Sequence, residues 1–397
     1  MEKVAVTMIG TLPPIKGMSP YCQELVKSVS GHVEVEFIGF KKLYPDFLYP
    51  GGSIVKGKDS ECDELENVTV KNTLTYYNPF SWIAAGMELK GDVVHAQWWS
   101  YPLAPVFFTV LLISKIRRKK VVITVHNVVP HERSMVSNFL NETVLFLGDE
   151  FIVHTGINKE KLSETYGIAK ERIHVIPMGI LTSAPIRGIS RKKARAHLGI
   201  SYNKKVVLFF GNIRDYKGLD VLIKSMKSVV EDIPEAMLLI AGQVWGEWDA
   251  YEKLIDELGL DKHIVKKLEF IQPSEVEYYF NATDIVVLPY KYFDSQSAIG
   301  ALALPFKKPL IVTDVGGLPE FVKDKSAVAK PNDAEDLAER ITCVLKDKNL
   351  ILKLGRDSGD IREKFGWKGI AKKTIGVYRS VKVGRFMHSR QPLSRAE

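Results

Sequence analysis

Cysteine is scarce in this sequence, which has Cys22, Cys62 and Cys343 in 397 residues. The three are far apart, their number is odd, and no CxxC pair occurs. Disulfide scaffolds and cysteine-based zinc sites both need more closely and regularly spaced cysteines. The sequence therefore disfavours both kinds of site and predicts a reducing, cytoplasmic compartment. The N-terminus also lacks a basic start and a small-residue cleavage site, so we expect no signal peptide.

A long uninterrupted hydrophobic run is also lacking. Residues 93–114 contain no Asp, Glu, Lys or Arg, but a histidine, a glutamine and two prolines interrupt them. This pattern predicts a buried strand over 92–96 and an apolar helix over 103–116 rather than a membrane span. The basic residues 117–120 follow and suit the negative pole of that helix. A helix that touches a membrane surface is the alternative interpretation.

Excess positive charge is missing from most of the chain, although the formal net charge is +8. Acidic and basic residues balance over 1–180, and acidic residues exceed basic ones over 201–365. The excess lies in two segments, +5 over 181–200 and +7 over 366–397. A basic tail can attract phosphates or an anionic membrane, or simply keep a solvated end soluble. No nucleic-acid recognition motif accompanies the charge, so nucleic acid is not an expected partner.

Short apolar runs alternate with helical patterns along the whole chain. The predicted strands are 3–9, 33–38, 92–96, 120–125 and 151–154, then 205–210, 236–241, 268–271, 285–290 and 309–314. Such alternation favours parallel sheets covered by helices on both faces. The fold class is therefore α/β, with two doubly wound Rossmann-like domains in series. In such sheets ligands bind outside the carboxyl ends of the strands, here in a cleft between the domains.

The dinucleotide fingerprint GxGxxG is absent, but two loops of the first series carry candidate residues. Gly17 ends a glycine-containing loop in which backbone can approach a ligand, although an ordinary βα turn explains it equally well. His126 follows a predicted strand and can donate a hydrogen bond to a hydroxyl or a phosphate. His131 and Glu132 come next and are candidates for binding an acceptor. Their spacing is not that of an HExxH zinc site.

The second series opens with FFGNIRDYKGLD, in which Arg214 and Lys217 follow the end of a strand. Arginine offers a fork and lysine a point charge to phosphate oxygens. Neutralising a departing diphosphate is the main electrostatic task when a nucleotide leaves a sugar. A later loop carries Asp294, Gln296 and Ser297 before a predicted helix, whose unpaired N–H groups suit a phosphate.

Six ordered motifs resemble those of the retaining, nucleotide-sugar-dependent glycosyltransferases of family 4, which have the GT-B fold. They are GTLPPIKG, DVVHAQ, TVHNVVPHE, HVIPMG, FFGNIRDYKGLD and KKPLIVTDVGGLPE, followed by GWKGIAKKTIGVYRS. The resemblance covers about residues 3–380. It implies transfer of a sugar from a UDP- or GDP-linked donor to an acceptor hydroxyl, with retained anomeric configuration. It also implies no protein nucleophile, no cofactor and no bound metal.

The resemblance also implies how the chain is divided. Residues 1–182 are expected to form an acceptor-side domain and 201–365 a donor-binding domain, joined by a linker over 183–200. Residues 366–380 resemble the closing helix that returns to the first domain, and 381–397 form a basic tail. Because the two halves of the site lie on separate domains, we expect the domains to close over the donor.

Family positions map onto residues of both domains. The expected catalytic residues are Lys217, which matches the phosphate-binding lysine, and Arg214, His126 and Asp294. The expected donor-binding residues are Gly17, Gly211, Asn212, Gly242, Phe270, Ile271, Tyr290, Gln296, Ser297 and Ala298. The expected acceptor-side residues are His95, Gln97, His131 and Glu132.

Several positions depart from the family pattern. The frequent Glu-x7-Glu pair is Asp294 and Leu302 here, and leucine cannot hold the ribose as the second glutamate does. Gln296-Ser297-Ala298 resembles the Gln-Ser-Gly sequence of a subset of relatives. Asn212 occupies a position where the family usually has an arginine, and Arg214 can substitute for that arginine. Gln97 and Met178 occupy two positions where the family frequently has a histidine.

Three functions are compatible with these features. The leading one is a glycosyltransferase acting on a lipid-linked glycan or a polysaccharide precursor at the cytoplasmic face of a membrane. The second is a catalytically silent GT-B subunit that binds a partner transferase, which Leu302 and Asn212 suggest. The third is another GT-B enzyme, such as a phosphorylase or a sugar-nucleotide epimerase.

Overall fold

The first of two parallel sheets has seven strands. The computed structural model describes residues 4–15, 17–45, 60–128, 135–180, 186–293 and 296–383. The strands are β1 (Ala5–Gly10), β2 (Glu34–Lys42), β3 (Val68–Thr75), β4 (Val93–Trp98), β5 (Lys120–Val125), β6 (Glu150–Val153) and β7 (Ile173–Val175). Their order is β3-β2-β1-β4-β5-β6-β7, and every pairing is parallel. The chain reverses its direction of travel across the sheet between β1 and β4.

Helices cover both faces of this sheet. They are α1 (Ser19–Ser30), α2 (Pro79–Glu88), α3 (Ala104–Ile116), α4 (Met135–Leu145) and α5 (Gly156–Tyr166). On one face, α2, α3 and α4 lie side by side in that order over one apolar cluster. On the other face, α1 packs over a second cluster together with the last helix of the chain. Strands covered on both faces are mostly apolar, and all six residues of β4 are buried, including the polar His95 and Gln97.

The second sheet has six strands. They are β8 (Lys205–Phe210), β9 (Ala236–Ala241), β10 (Ile264–Lys267), β11 (Ile285–Leu288), β12 (Leu310–Thr313) and β13 (Val328–Ala329). Their order is β10-β9-β8-β11-β12-β13, again parallel throughout, with the reversal between β8 and β11. The helices are α6 (Arg191–Leu198), α7 (Leu219–Asp232), α8 (Asp249–Glu257), α9 (Val276–Ala282), α10 (Ala298–Ala303), α11 (Ala334–Lys346), α12 (Lys348–Ile361) and α13 (Trp367–Val383).

Two sequence-based expectations need correction in the second half. The segment 183–200 was predicted as a linker, but it contains α6, which packs against α9. Arg195 explains this, because its buried guanidinium donates to Ala282 O and to the Asp284 carboxylate. The strand predicted over 268–271 lies instead at β10, and residues 268–271 follow its carboxyl end.

The last helix, α13, returns to the first sheet and packs on α1. Two hydrogen bonds hold its start against the segment that leaves the first sheet: Trp367 Nε1 donates to Ile180 O at 2.6 Å, and Ile180 N donates to Phe365 O at 3.1 Å. Residues 384–397, most of the predicted basic tail, lie outside the described residues. Among the described helices, none has the length and apolar character required to cross a membrane.

Candidate functional site

Loops that follow strands of the two sheets meet each other. Gln296, after β11, accepts a hydrogen bond through Oε1 from Met178 N, after β7, at 2.7 Å. Gln296 Nε2 donates to the Glu320 carboxylate at 3.2 Å, and Glu320 also accepts from the backbone N–H of Gly156, where α5 begins. The carboxyl edges of both sheets therefore border a common cleft, as expected for doubly wound domains.

Lys217 is the buried cation on the second-sheet side of this cleft. It ends a single helical turn after β8, and its side chain is 7% exposed. The ammonium lies 5.8 Å from the centre of the Tyr290 ring. Burial, and secondly the positive charge of Arg214, lower the pKa of Lys217 to about 8. An anion bound beside it would favour the charged form, so the group suits a phosphate.

Two glycines bring the strand ends together around Lys217. A Cβ on Gly218, which has φ +69°, would lie 1.9 Å from Pro289 O, and one on Gly242 would lie 2.1 Å from Gly211 O. Neither position accepts a side chain, so the loops after β8, β9 and β11 pack backbone against backbone. Lys291 holds the same turn, because its ammonium lies 2.8 Å from Asp215 and 3.0 Å from Asp220.

Arg214 occupies a different place from Lys217. Its side chain is exposed, and its guanidinium lies 4.3 Å from the centre of the Trp245 ring, a cation–π arrangement. Arg214 and Trp245 border a cavity of about 530 Å³ at the carboxyl ends of β8 and β9. Tyr216 and Tyr292 line the same cavity. Arg214 is thus oriented by an aromatic face and open to a ligand, and the neighbouring Asn212 is exposed as well.

The residues expected to meet the base lie at the same edge. Phe270 is 51% exposed and Ile271 is partly buried, both in the loop after β10. Because β10 ends at Lys267, this loop leaves the carboxyl edge, where a ligand is reachable. Gly17 is exposed at the corresponding loop after β1, with φ +90°.

Three predicted donor contacts are internal instead. Tyr290 is buried, and its hydroxyl lies 3.1 Å from Ser297 Oγ. Ser297 caps α10 by accepting from Gly300 N at 3.2 Å, so its hydroxyl is already used. Gln296 is buried between Met178 and Glu320. These residues shape the cleft rather than line it, whereas Ala298, the first residue of α10, is only half-buried.

A chain of buried histidines underlies the first-sheet side of the cleft. His95 Nδ1 lies 2.7 Å from the Tyr378 hydroxyl, and His95 Nε2 lies 2.7 Å from Thr124 Oγ1. The Gln97 amide contacts His95 Nε2 at 3.3 Å and His126 Nε2 at 3.0 Å. His126 Nδ1 lies 3.0 Å from His154 Nε2. The chain thus runs from α13 through β4 and β5 to β6.

The end of the chain fixes the tautomers. His154 Nδ1 lies 2.9 Å from Ile176 O, which can only accept, so Nδ1 carries the proton. His154 Nε2 then accepts from His126 Nδ1–H, and His126 Nε2 is left as an acceptor. Gln97 Oε1 is placed facing His126 Nε2 and Gln97 Nε2 facing His95, so this order requires the opposite orientation of the amide, with its N–H group donating to His126. His126 therefore has no donor left for a substrate.

Burial also keeps these rings neutral. It lowers the pKa of His95 to about 3 and that of His154 to about 4. The pKa of His126 falls well below its ordinary value, because it is buried and adjoins two other histidines. His95 and Gln97 were predicted to contact the acceptor, and this prediction is wrong. Both are fully buried and internally bonded, so they position the cleft wall.

Some predicted residues cannot be placed, and some placed residues were not predicted. Asp294, His131 and Glu132 lie outside the described residues. His154, Trp245 and Glu320 were not predicted, although His154 ends a predicted strand and the other two follow predicted strands. Position after a strand was therefore the available signal. No group of three or more His, Cys, Asp or Glu side chains able to hold a metal ion occurs within the described ranges.

A larger cavity lies elsewhere in the described part of the chain. It has a volume of about 1430 Å³ and is lined by residues such as Asp284, Leu302, Lys308 and Trp367. Asp284 precedes β11 and Lys308 precedes β12, so this cavity adjoins the amino edge of the second sheet. Ligands of doubly wound sheets bind at the opposite edge. Cavity size therefore does not identify the site here.

Family profiles match both halves of the chain. Residues 65–184 match the family described as Glycosyltransferase Family 4, and residues 190–358 match the one described as Glycosyl transferases group 1. Both halves of the chain thus match glycosyltransferase families. This confirms the resemblance seen in the motifs.

Individual relatives agree with that assignment. A D-inositol 3-phosphate glycosyltransferase from Corynebacterium aurimucosum is 30% identical over 239 residues, which are 58% of this chain and 56% of that protein. The chain thus spans little more than half the length of this curated relative. Sucrose-phosphate synthase from Thermosynechococcus elongatus is 18% identical, with a TM-score of 0.72 over 96% of this chain and 100% of that one. Anabaena HepE in complex with UDP is 16% identical, with a TM-score of 0.75 over 95% and 100%. The fold is GT-B.

Proposed function

We propose that this protein is a retaining glycosyltransferase that moves a sugar from a nucleoside-diphosphate donor to an acceptor hydroxyl. The observation that carries the proposal is Lys217, a buried ammonium at the carboxyl edge of the second sheet. Its depressed pKa marks a charge that burial destabilises and that a bound anion would stabilise. HepE, whose structure holds UDP, has the same fold, which supports UDP as the first nucleotide to test.

The chemistry requires charge stabilisation more than a protein nucleophile. The bond between the anomeric carbon and the diphosphate oxygen breaks, and a bond from the acceptor oxygen to that carbon forms on the same face. The acceptor proton passes to the departing phosphate. Lys217 stabilises the negative charge that develops on that phosphate, and Arg214 adds a second, exposed cation. Catalysis in this scheme uses no bound metal.

The two halves of the chain have separate tasks in this proposal. The second, over 201–365 with α6 attached, binds the donor, with Phe270 and Ile271 beside the base. The first, over 1–182, binds the acceptor between Gly17 and the wall that His126 supports. We propose a lipid-linked glycan or a polysaccharide precursor as the acceptor, at the cytoplasmic face of a membrane.

Calorimetry with UDP, GDP, ADP, CMP and TDP tests the donor site. We expect one nucleotide to bind, and Lys217→Ala to weaken that binding. Lys308→Ala is the matched control, because Lys308 is also mostly buried with a pKa lowered to about 8, but lies at the amino edge of the sheet. Equal loss in both variants, or no loss in Lys217→Ala, would contradict the proposal.

The second candidate function is a catalytically silent subunit that activates a partner transferase. Leu302 favours it, because this side chain packs against the apolar cluster of the second half and supplies no carboxylate for a ribose. The same titration separates the two functions. A folded protein that binds none of the five nucleotides, and that raises the turnover of a co-purifying transferase, would replace the leading proposal.

A further inference from the structure

The outer surface of α2, α3 and α4 is unusually apolar. Eighteen large hydrophobic side chains are exposed among the described residues, and ten of them fall between 77 and 146. They are Tyr77, Phe80, Ile83, Met87, Leu112, Ile116, Met135, Val136, Phe139 and Phe146, which we call the outer helical face. Phe80 is 81% exposed and Phe146 86%. Because α2, α3 and α4 lie side by side, exposed apolar side chains in this number indicate an interaction surface.

The middle helix contributes least to this face. Six residues of α3, including Phe107 and Val110, are buried against the sheet, and only Leu112 and Ile116 are exposed large hydrophobics. The apolar helix that the sequence singled out for membrane contact is thus mainly a core helix. The aromatic side chains that reach solvent come from the flanking helices, through Phe80 on α2 and Phe139 on α4.

Positive charge borders the outer helical face at one end. Arg117 and Arg118 are exposed directly after Ile116, and Lys119 follows. Arg117 donates to Gly86 O and Leu89 O, which fixes this basic turn beside the end of α2. Over residues 76–120 there are six Lys and Arg against two acidic residues. Apolar and aromatic side chains bordered by fixed cations are the combination that binds anionic lipid surfaces.

One end of the outer helical face lies toward the carboxyl edge of the first sheet. In a parallel α/β unit each helix begins at the carboxyl edge of the sheet, where the strand before it ends. The starts of α2 and α4, with Phe80, Met135 and Val136, therefore lie toward the cleft. The basic turn lies at the far ends of α2 and α3. A surface that rests on lipid here would keep the first-sheet wall of the cleft close to the bilayer.

We propose that the outer helical face docks on an anionic phospholipid membrane, with Phe80, Phe139 and Phe146 at the boundary of headgroups and acyl chains. The proposal identifies the surface that would bring the protein to a membrane-bound acceptor. Only this link to the acceptor rests on the proposed function. A lipid occupant fits better than a second copy of the chain. A second copy would bring the same basic turn to the interface, whereas anionic lipid headgroups supply the opposite charge.

Vesicle flotation with the purified full chain tests the surface. Vesicles of phosphatidylcholine alone and with added phosphatidylglycerol are compared at low and high salt. We expect binding only to the anionic vesicles, and weaker binding in salt. Phe80→Gln with Phe139→Gln should weaken binding about tenfold, since two aromatic side chains lose their apolar contact. Arg118→Gln should weaken it about fivefold.

The matched control replaces equally exposed apolar residues elsewhere. Tyr202→Gln with Leu352→Gln lies in the second half, where these side chains are 69% and 61% exposed. We expect unchanged vesicle binding. Equal weakening by the control pair would overturn the proposal, as would failure of the full chain to bind anionic vesicles at low salt. A dimer that only the Phe80 and Phe139 changes dissociate, without vesicle binding, would assign the face to a second copy and also overturn it.

Nucleotide calorimetry on the same proteins separates the two proposals. The Phe80 and Phe139 variant should bind nucleotide as the unmodified protein does, because neither residue belongs to the donor side. Vesicle binding without nucleotide binding would reject the proposed function and keep the docking surface. Nucleotide binding without vesicle binding would do the reverse.

Discussion

The two sides of the cleft treat similarly placed side chains in opposite ways. Lys217 and His126 both follow the carboxyl end of a buried strand, and both are almost completely buried. His126 has partners on both ring nitrogens and is neutral. Lys217 lies near an aromatic ring and another cation, and its charge is destabilised. The first side is a finished structural network, whereas the second is arranged to receive an anion.

The difference shows that position after a strand does not by itself define a functional residue. What matters is whether the partners within the protein already satisfy the group. A satisfied network resists change and holds a wall in place. An unsatisfied charge gains its stabilisation from a ligand, and this makes it available for chemistry.

Of the single substitutions considered, removal of Lys217 should have the largest effect on the function of the second side. Lys217→Ala is expected to lower the rate of sugar transfer, or of donor hydrolysis, about 100- to 1000-fold, because a preorganised charge next to the departing diphosphate is lost. Steady-state kinetics checks this, with Lys308→Ala as the control. A rate within a few-fold of the unmodified protein would mean that Lys217, like His126, has a structural role.

Acid should destabilise the folded protein through the buried histidines on the first side of the cleft. The pKa of His95 and of His154 is lower in the folded than in the unfolded protein, so stability is full above about pH 6.5 and is lost as the pH falls. For each histidine the loss is about 1.4 kcal/mol per pH unit, down to about pH 4. Denaturant unfolding between pH 7 and pH 5 measures it. His154→Gln should flatten the slope, and an unchanged slope would mean that His154 does not titrate on unfolding.

Alkali should act on the second side instead. Lys217 in the unliganded protein loses its proton around pH 8, so nucleotide affinity should fall by up to about tenfold per pH unit above that value. Calorimetry across this range tests it. Lys217→Arg keeps its charge and should show a nearly constant affinity. A pH-independent affinity in the unmodified protein would contradict the role given to this ammonium.

The smallest expected effect concerns the orientation of Arg214. Trp245→Leu removes the ring that the guanidinium faces at 4.3 Å. We expect nucleotide affinity to fall by about two- to fivefold, as for other exposed cation–π pairs. Tyr202→Leu removes a ring near Arg195 outside the cleft and should leave the affinity unchanged. A loss larger than that of Lys217→Ala would show that Arg214, not Lys217, carries most of the charge stabilisation.

The fold could be predicted where apolar periodicity is strong. Strands such as β5, β8 and β9 have their predicted bounds, because strands buried on both faces are apolar throughout. Edge strand β3 was missed, since only two of its eight residues are buried and it carries polar residues. Helix α6 was taken for a linker because its charge suggests solvent, while tertiary contacts bury Arg195 against Asp284.

The candidate site could be predicted only as a set of strand ends. Lys217 and Arg214 lie at the cleft edge as their motif indicated, and so does Phe270, which the family resemblance had suggested. The internal roles of Gln296 and His95 depend on Met178 and Tyr378, which are 118 and 283 residues away in sequence. No local pattern contains such partners. Glu320 was missed for the same reason, because it accepts from the backbone N–H of Gly156, at the start of α5 in the other half of the chain.

The sequence by itself determined the alternation of strands and helices, the parallel sheets and the family, because these depend on short-range periodicity and on motifs contiguous in the chain. Only the tertiary structure decided which polar residues are already satisfied and which await a ligand. It also decided that the apolar surface comes from α2 and α4 rather than α3. Both outcomes depend on burial and on partners distant in sequence, which folding brings together.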